Sequence, residues 1–163
     1  NDGLTTILEY DNPETLVIRN NQIFRPEWQS IVLESEQNRG KELKSCSFKA
    51  QKEDRIVFCS DGVVQSGLGT EKYPFGWGQE NYIEFVQRLI KNNPEISANR
   101  LALKVVNMAY QNDQYYAKDD TSCGAIYFRE PRRLLICTGP PYYQEKDKEL
   151  AETVKNFNGK KII

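Results

Sequence analysis

The sequence predicts an α+β fold, and three observations carry that prediction. Strand-like alternation occupies most of residues 4–59, an apolar period of helical spacing runs from Asn81 to Asp113, and alternation returns at Cys123. Runs of strand and helix kept apart from one another mark this class. At 163 residues the chain is long enough to bury a core of its own.

Each element has a local reason. Leu4 to Tyr10 is β-rich and ends in the turn cluster Asp11-Asn12-Pro13. Thr15 to Arg19 alternates and stops at Asn20-Asn21, a pair that tolerates the left-handed backbone of a tight turn. Ser30 to Leu33 and Glu42 to Phe48 are further strands, separated by the polar stretch 34–41. Arg55 leads four apolar residues, Ile56 to Cys59, which suit a strand covered on both faces. The glycine-rich stretch from Gly62 to Gly78 reads as a loop with aromatic anchors, Trp77 chief among them. Tyr82, Phe85, Val86, Leu89 and Ile90 then make a helical stripe that Asn92-Asn93-Pro94 stops. Ser97 caps a second helix with Leu101, Val105 and Met108 facing inward, and Asp113 ends it. Cys123 to Arg129 and Arg132 to Thr138 are strands on either side of Glu130-Pro131. Gly139-Pro140-Pro141 turns the chain into a helix over 147–157, and Lys161 to Ile163 begin another strand.

Composition removes whole classes of function. With 22 basic and 23 acidic residues the net charge is −1, so no nucleic-acid partner is expected. No apolar run approaches the ~18 residues of a membrane span, and no signal peptide opens the sequence, so a cytoplasmic protein is expected. There is no histidine, which excludes Ser-His-Asp and Cys-His catalysis and imidazole-held zinc within these residues. Cys46, Cys59, Cys123 and Cys137 form no C-x-x-C pair and sit in strand-like stretches, as buried reduced thiols do.

Two acidic sites remain as candidates for chemistry. Ser60-Asp61-Gly62 follows the buried strand 56–59 directly, so its carboxylate is rigidly placed and its glycine admits a close neighbour. Asp119-Asp120-Thr121-Ser122 leads directly into the strand that begins at Cys123. Adjacent carboxylates at a buried strand are costly unless a positive group neutralises them. Brought together, the two would make an all-oxygen cluster suited to magnesium or manganese. Spacing alone favours ordinary turns at both places.

The run Asp54-Arg55-Ile56-Val57-Phe58-Cys59-Ser60-Asp61-Gly62-Val63-Val64 resembles the strand-and-metal motif of PPM-type metal-dependent protein phosphatases, most closely their SpoIIE-like bacterial branch. Gln65 stands where that branch often has Glu. Asp119-Asp120-Thr121-Ser122 resembles the family's Asp-Asp/Asn-x-Thr/Ser before its closing strand, and the order of elements agrees over roughly residues 4–130.

The resemblance implies part of a PPM β-sandwich flanked by helices over 1–130, followed by a partial β-α-β extension over 131–163. It implies hydrolysis of phosphoserine or phosphothreonine on a protein, such as an anti-sigma-factor antagonist, by water activated between two manganese or magnesium ions. It makes Asp61 and Asp119 metal ligands, with Asp120 beside them. The family's N-terminal Gly-Asp-Gly-type motif has no good counterpart, Asp2-Gly3 being in the wrong context. The chain therefore reads as the C-terminal portion of a phosphatase domain, expected to self-associate or to pair with the missing half. The alternative is a catalytically inactive phosphatase-like module that binds or regulates a partner.

Overall fold

The structure, a computed structural model, describes residues 3–33, 41–131, 133–138 and 152. In chain order its elements are β1 (Leu4–Tyr10), β2 (Leu16–Arg19), β3 (Gln22–Phe24), β4 (Trp28–Ile31), β5 (Leu43–Lys49), β6 (Arg55–Cys59), α1 (Asp61–Gln65), α2 (Gln79–Asn92), α3 (Ala98–Asn112), β7 (Cys123–Tyr127) and β8 (Leu134–Thr138). They fall into two compact units. One draws on residues 1–12, 26–50 and 132–163, the other on 13–25 and 51–131.

The first unit holds a sheet in the order β4-β5-β1-β8. β1 is central, antiparallel to β5 and parallel to β8, with Ile7 opposite Cys46 on one side and Ile136 on the other. Leu8, Tyr10, Leu33 and Leu43 form a small apolar cluster on it. The strand expected to open the 131–163 extension is thus β8, the edge strand parallel to β1. The turn at 139–141 and the strand expected at 161–163 lie outside the described residues, as do Asp2 and all of the expected helix 147–157 except Glu152, which is helical.

The second unit holds a sheet in the order β3-β2-β6-β7. Asn20 and Asn21 have φ of 51° and 58° and join β2 to β3 with Arg19 opposite Gln22, so the expected tight turn is a two-residue hairpin. β3 itself went unpredicted, because three residues are too few to show alternation. β6 is buried along most of its length, between β2 and β7.

Helices α2 and α3 cover one face of this sheet. Leu16, Ile18, Val57 and Cys59 meet Tyr82, Phe85, Val86 and Ile90 of α2 and Leu101, Val105 and Ala109 of α3 in one buried cluster. In α3 the inward stripe repeats at every fourth residue, so Ala109 replaces the expected Met108, which is only partly buried. Ser97 caps α3 as expected, its hydroxyl accepting from the Arg100 N–H at 3.3 Å.

The end of β6 remote from the acidic motif is fixed by a fork. Arg19 Nε and Nη2 donate to the two carboxylate oxygens of buried Asp54 at 3.1 and 2.8 Å, and the Gln51 N–H adds a bond of 2.8 Å. The bond to Asp54 and its charge hold the Arg19 guanidinium above its usual pKa, against the opposing cost of burial.

Candidate metal centre

The register of β6 on β7 decides where the acidic segments lie. Cys59 pairs with Cys123, so the chain continuing past β6 runs antiparallel to the chain arriving at β7. The Ser60 N–H donates to the Ser122 carbonyl at 3.0 Å, extending the ladder by one residue. Ser60-Asp61-Gly62 and Asp119–Ser122, 57 or more residues apart in sequence, are therefore neighbours.

Ser60 is the clamp between them. Its hydroxyl donates to the Asp120 carbonyl at 2.8 Å and accepts from the Ser122 N–H at 2.9 Å. Gly62 closes the gap. A Cβ there would lie 2.5 Å from the Asp120 carbonyl oxygen and 3.0 Å from its carbon, so the backbone of one acidic segment rests where a side chain would be. The close neighbour anticipated for this glycine is thus the second acidic motif.

Asp61 is the first residue of α1, a helix in a stretch that the sequence presents as loop; five residues leave too short a trace for periodicity to register. One carboxylate oxygen accepts from the Gly62 N–H at 2.9 Å and the other from Gln65 Nε2 at 3.2 Å. The Gln65 contact, an i to i+4 pair, is the signal that a helix here would have offered. Asp119 accepts from the Asp120 N–H at 2.7 Å, and its carbonyl accepts from the Thr121 hydroxyl at 3.1 Å. Asp61, Asp119 and Asp120 are all exposed.

A helix of five residues does not stand alone in water, and neighbours hold this one. The Trp77 and Gly78 N–H groups donate to the Ser66 and Val64 carbonyls at 2.8 and 2.7 Å. Gly76, at φ +88°, passes so close to Val64 and Gln65 that a Cβ would sit 3.0 Å from the Val64 oxygen. From the end of α3, Asp113 accepts from the Gly67 N–H at 2.7 Å and Asn112 donates to the Ser66 hydroxyl at 3.2 Å. Trp77 is 3% exposed, with its ring edge-on to Tyr82 and Phe85, so it is a core anchor.

The donor chemistry fits a hard divalent cation. The three carboxylates offer oxygen alone, and magnesium commonly takes one or two carboxylates and completes its shell with water. Among the described residues, however, no three Asp, Glu or Cys side chains gather closely enough to hold an ion. The fit is to part of a centre. An open groove of about 760 Å³ between Thr70–Tyr73 and the end of α3 is lined by none of the three.

No protein-family model matches the chain, and no curated protein matches it. Among solved structures, it is similar to the phosphatase domain of the cell fate determinant SpoIIE from Bacillus subtilis, at 12% identity and a TM-score of 0.50 over 74% of this chain and 50% of that one. A manganese-presoaked structure of the same domain gives a TM-score of 0.49 at 12% identity, over 80% and 50%. The likeness is one of fold. Two sheets and three helices among the described residues match the PPM phosphatase fold, as the resemblance implies. The chain spans about half the length of that phosphatase domain.

Proposed function

We propose that this chain contributes part of the site of a metal-dependent phosphatase acting on phosphoserine or phosphothreonine in a protein. The observation that carries the reading is the joining of Ser60-Asp61-Gly62 to Asp119–Ser122 through the Ser60 hydroxyl and the space kept at Gly62. Nothing about ordinary turns requires two acidic segments so distant in sequence to be locked together.

Asp61 and Asp119 would hold a manganese or magnesium ion, with Asp120 at its margin. Such an ion, when bound, makes coordinated water acidic enough to serve as a nucleophile near neutral pH and offsets charge on the phosphoryl oxygens. The chain's own contribution is positional. Gly62 N–H and Gln65 fix the Asp61 carboxylate, the Asp120 N–H fixes that of Asp119, and Ser60 sets their separation. A second ion would need carboxylates beyond these, which favours completion by further polypeptide, either the remaining half of such a domain or a second copy. A protein substrate is favoured by large exposed apolar side chains on the segments that flank the acidic motifs in sequence. Phe75 is 93% and Tyr116 79% exposed, on the segments that follow α1 and precede Asp119.

Manganese titration of the chain tests the proposal, with hydrolysis of para-nitrophenyl phosphate as a second readout. Asp61→Ala and Asp119→Ala should each weaken manganese binding by about tenfold or more, and Asp120→Ala less. Equal binding by the unaltered chain and both variants would overturn the metal assignment. Among the described residues fewer than three ligands gather, which favours one second reading, a phosphatase-like module that binds a partner without catalysis. Manganese binding without hydrolysis, even in the presence of the remaining half, would select it.

A further inference from the structure

Directly beneath the acidic segments lie two thiols that the metal reading does not use. Cys59, the last residue of β6, is the register partner of Cys123, the first residue of β7. Their place in the ladder is defined by its neighbours. The Ser60 N–H donates to the Ser122 carbonyl and the Phe128 N–H to that of Asp54, so residues 54, 56, 58 and 60 occupy the hydrogen-bonded positions. Cys59 and Cys123 are then a non-hydrogen-bonded pair, whose Cα atoms stand about 4.5 Å apart with side chains on the same face. Val57 with Ala125 and Arg55 with Tyr127 repeat this pattern along the ladder, the last pair with a guanidinium 5.6 Å from the ring centroid.

Both thiols turn toward the cluster under the helices, Cys59 buried within it and Cys123 half-buried at its edge. Among the described residues the Tyr82 hydroxyl, fully buried on α2, finds no hydrogen-bond partner of ordinary geometry, and the two sulfurs are among its polar neighbours. Burial first, then Cys59 and Cys123, holds that phenol well above its usual range. The two sulfurs and the hydroxyl thus share one small region of the core.

We propose that Cys59 and Cys123 form a site of reversible oxidation, closing to a cross-strand disulfide between the ends of β6 and β7 that carry the acidic segments. A disulfide spans Cα atoms about 4.4–6.8 Å apart and Cβ atoms about 3.5–4.5 Å apart. Facing residues in a sheet have Cβ atoms about 4.5–5.5 Å apart, so closure needs only a small inward movement of the strand ends. A peroxide is the oxidant. The Cys123 sulfur, the more accessible of the two, attacks a peroxide oxygen. The O–O bond breaks, the departing oxygen leaves as water with the thiol proton, and a sulfenic acid remains. The Cys59 sulfur then attacks the Cys123 sulfur, the S–O bond breaks, and a second water leaves with the Cys59 proton. Two thiols and one peroxide become one disulfide and two waters; a dithiol reductant reverses the change. Burial pushes the Cys123 thiol up to about 12, so little thiolate is present and the reaction is slow.

The other two cysteines provide the contrast. Cys46 on β5 and Cys137 on β8 lie on opposite sides of β1 and are not neighbours. The test is treatment of the folded chain with hydrogen peroxide, followed by alkylation in denaturant, counting of free thiols and mapping of linked peptides by mass spectrometry. A Cys137→Ser background prevents links between copies. Three free thiols should fall to one, with a linked pair containing Cys59 and Cys123, and a dithiol reductant should restore all three. In the Cys123→Ala variant of that background, Cys59 should remain unlinked. Persistence of all three thiols in the folded chain, or linkage through Cys46, would overturn the proposal. The bond rests on ladder geometry alone, so its failure would leave the metal reading untouched, as would the converse.

Discussion

Gly62 is the residue at which the candidate centre is most sensitive to a single atom. The group that a Cβ would strike is the Asp120 carbonyl, at 2.5 Å, and a carbonyl of the main chain cannot swing aside as a side chain does. Gly62→Ala should therefore push Asp119–Ser122 away and break the Ser60 clamp. The expected cost is about 1–3 kcal/mol of stability, as for an overfilled core position, with manganese binding weakened about tenfold or more. Urea denaturation and manganese titration check the two effects. An alanine variant with the stability and metal affinity of the parent would mean that the two segments do not meet as described. The sequence shows that Gly62 follows an acidic residue at a strand end, which is enough to expect a close approach. It does not show what approaches, because the answer is set by the pairing of β6 with β7 across more than sixty residues. The Ser60 clamp is illegible for the same reason, since a serine before a helix is ordinary capping material until Ser122 and Asp120 are placed beside it.

The elements around the centre divide by length into those the sequence announces and those it does not. α2 and α3 are long enough for their apolar stripes to declare them, and β6 for its apolar run. α1 has five residues and β3 three, and both depend on partners elsewhere in the chain. α1 is held at its far end by α3, through Asp113 to the Gly67 N–H and Asn112 to the Ser66 hydroxyl. Asp113 is buried, so its removal leaves the Gly67 N–H without its partner in a site with little room for water. Asp113→Ala should cost about 1–3 kcal/mol and should speed hydrogen exchange at residues 66–69, while α2 keeps its protection. Uniform loss across both helices would mean that the variant disturbs the whole core, and no loss at 66–69 would remove Asp113 from its role in holding α1.

For the whole molecule, the consequential feature is that neither compact unit is continuous in sequence. The first is assembled from 1–12, 26–50 and 132–163, and the second from 13–25 and 51–131. Alternation locates the strands but says nothing of which sheet receives them, so Leu134–Thr138 looks like an appendage when it lies beside β1, the central strand of the first sheet. Each unit has its own apolar cluster, and the residues of the second unit's cluster lie within 16–23 and 57–125. Ending the chain at Pro131 should therefore act selectively. It strips β8 from β1, turning a central strand into an edge with unpaired backbone groups. Amides in Leu4–Tyr10 should lose protection by about tenfold or more, since local opening then exposes them without unfolding of the rest. Those of β6 and α2 should keep theirs, and the truncated chain should associate more readily through the new edge. Hydrogen exchange resolved by peptide, with light scattering on the same samples, measures both. Equal loss in β6 and α2 would mean that the two clusters are one cooperative core, and the role assigned to β8 would have to extend to the candidate centre.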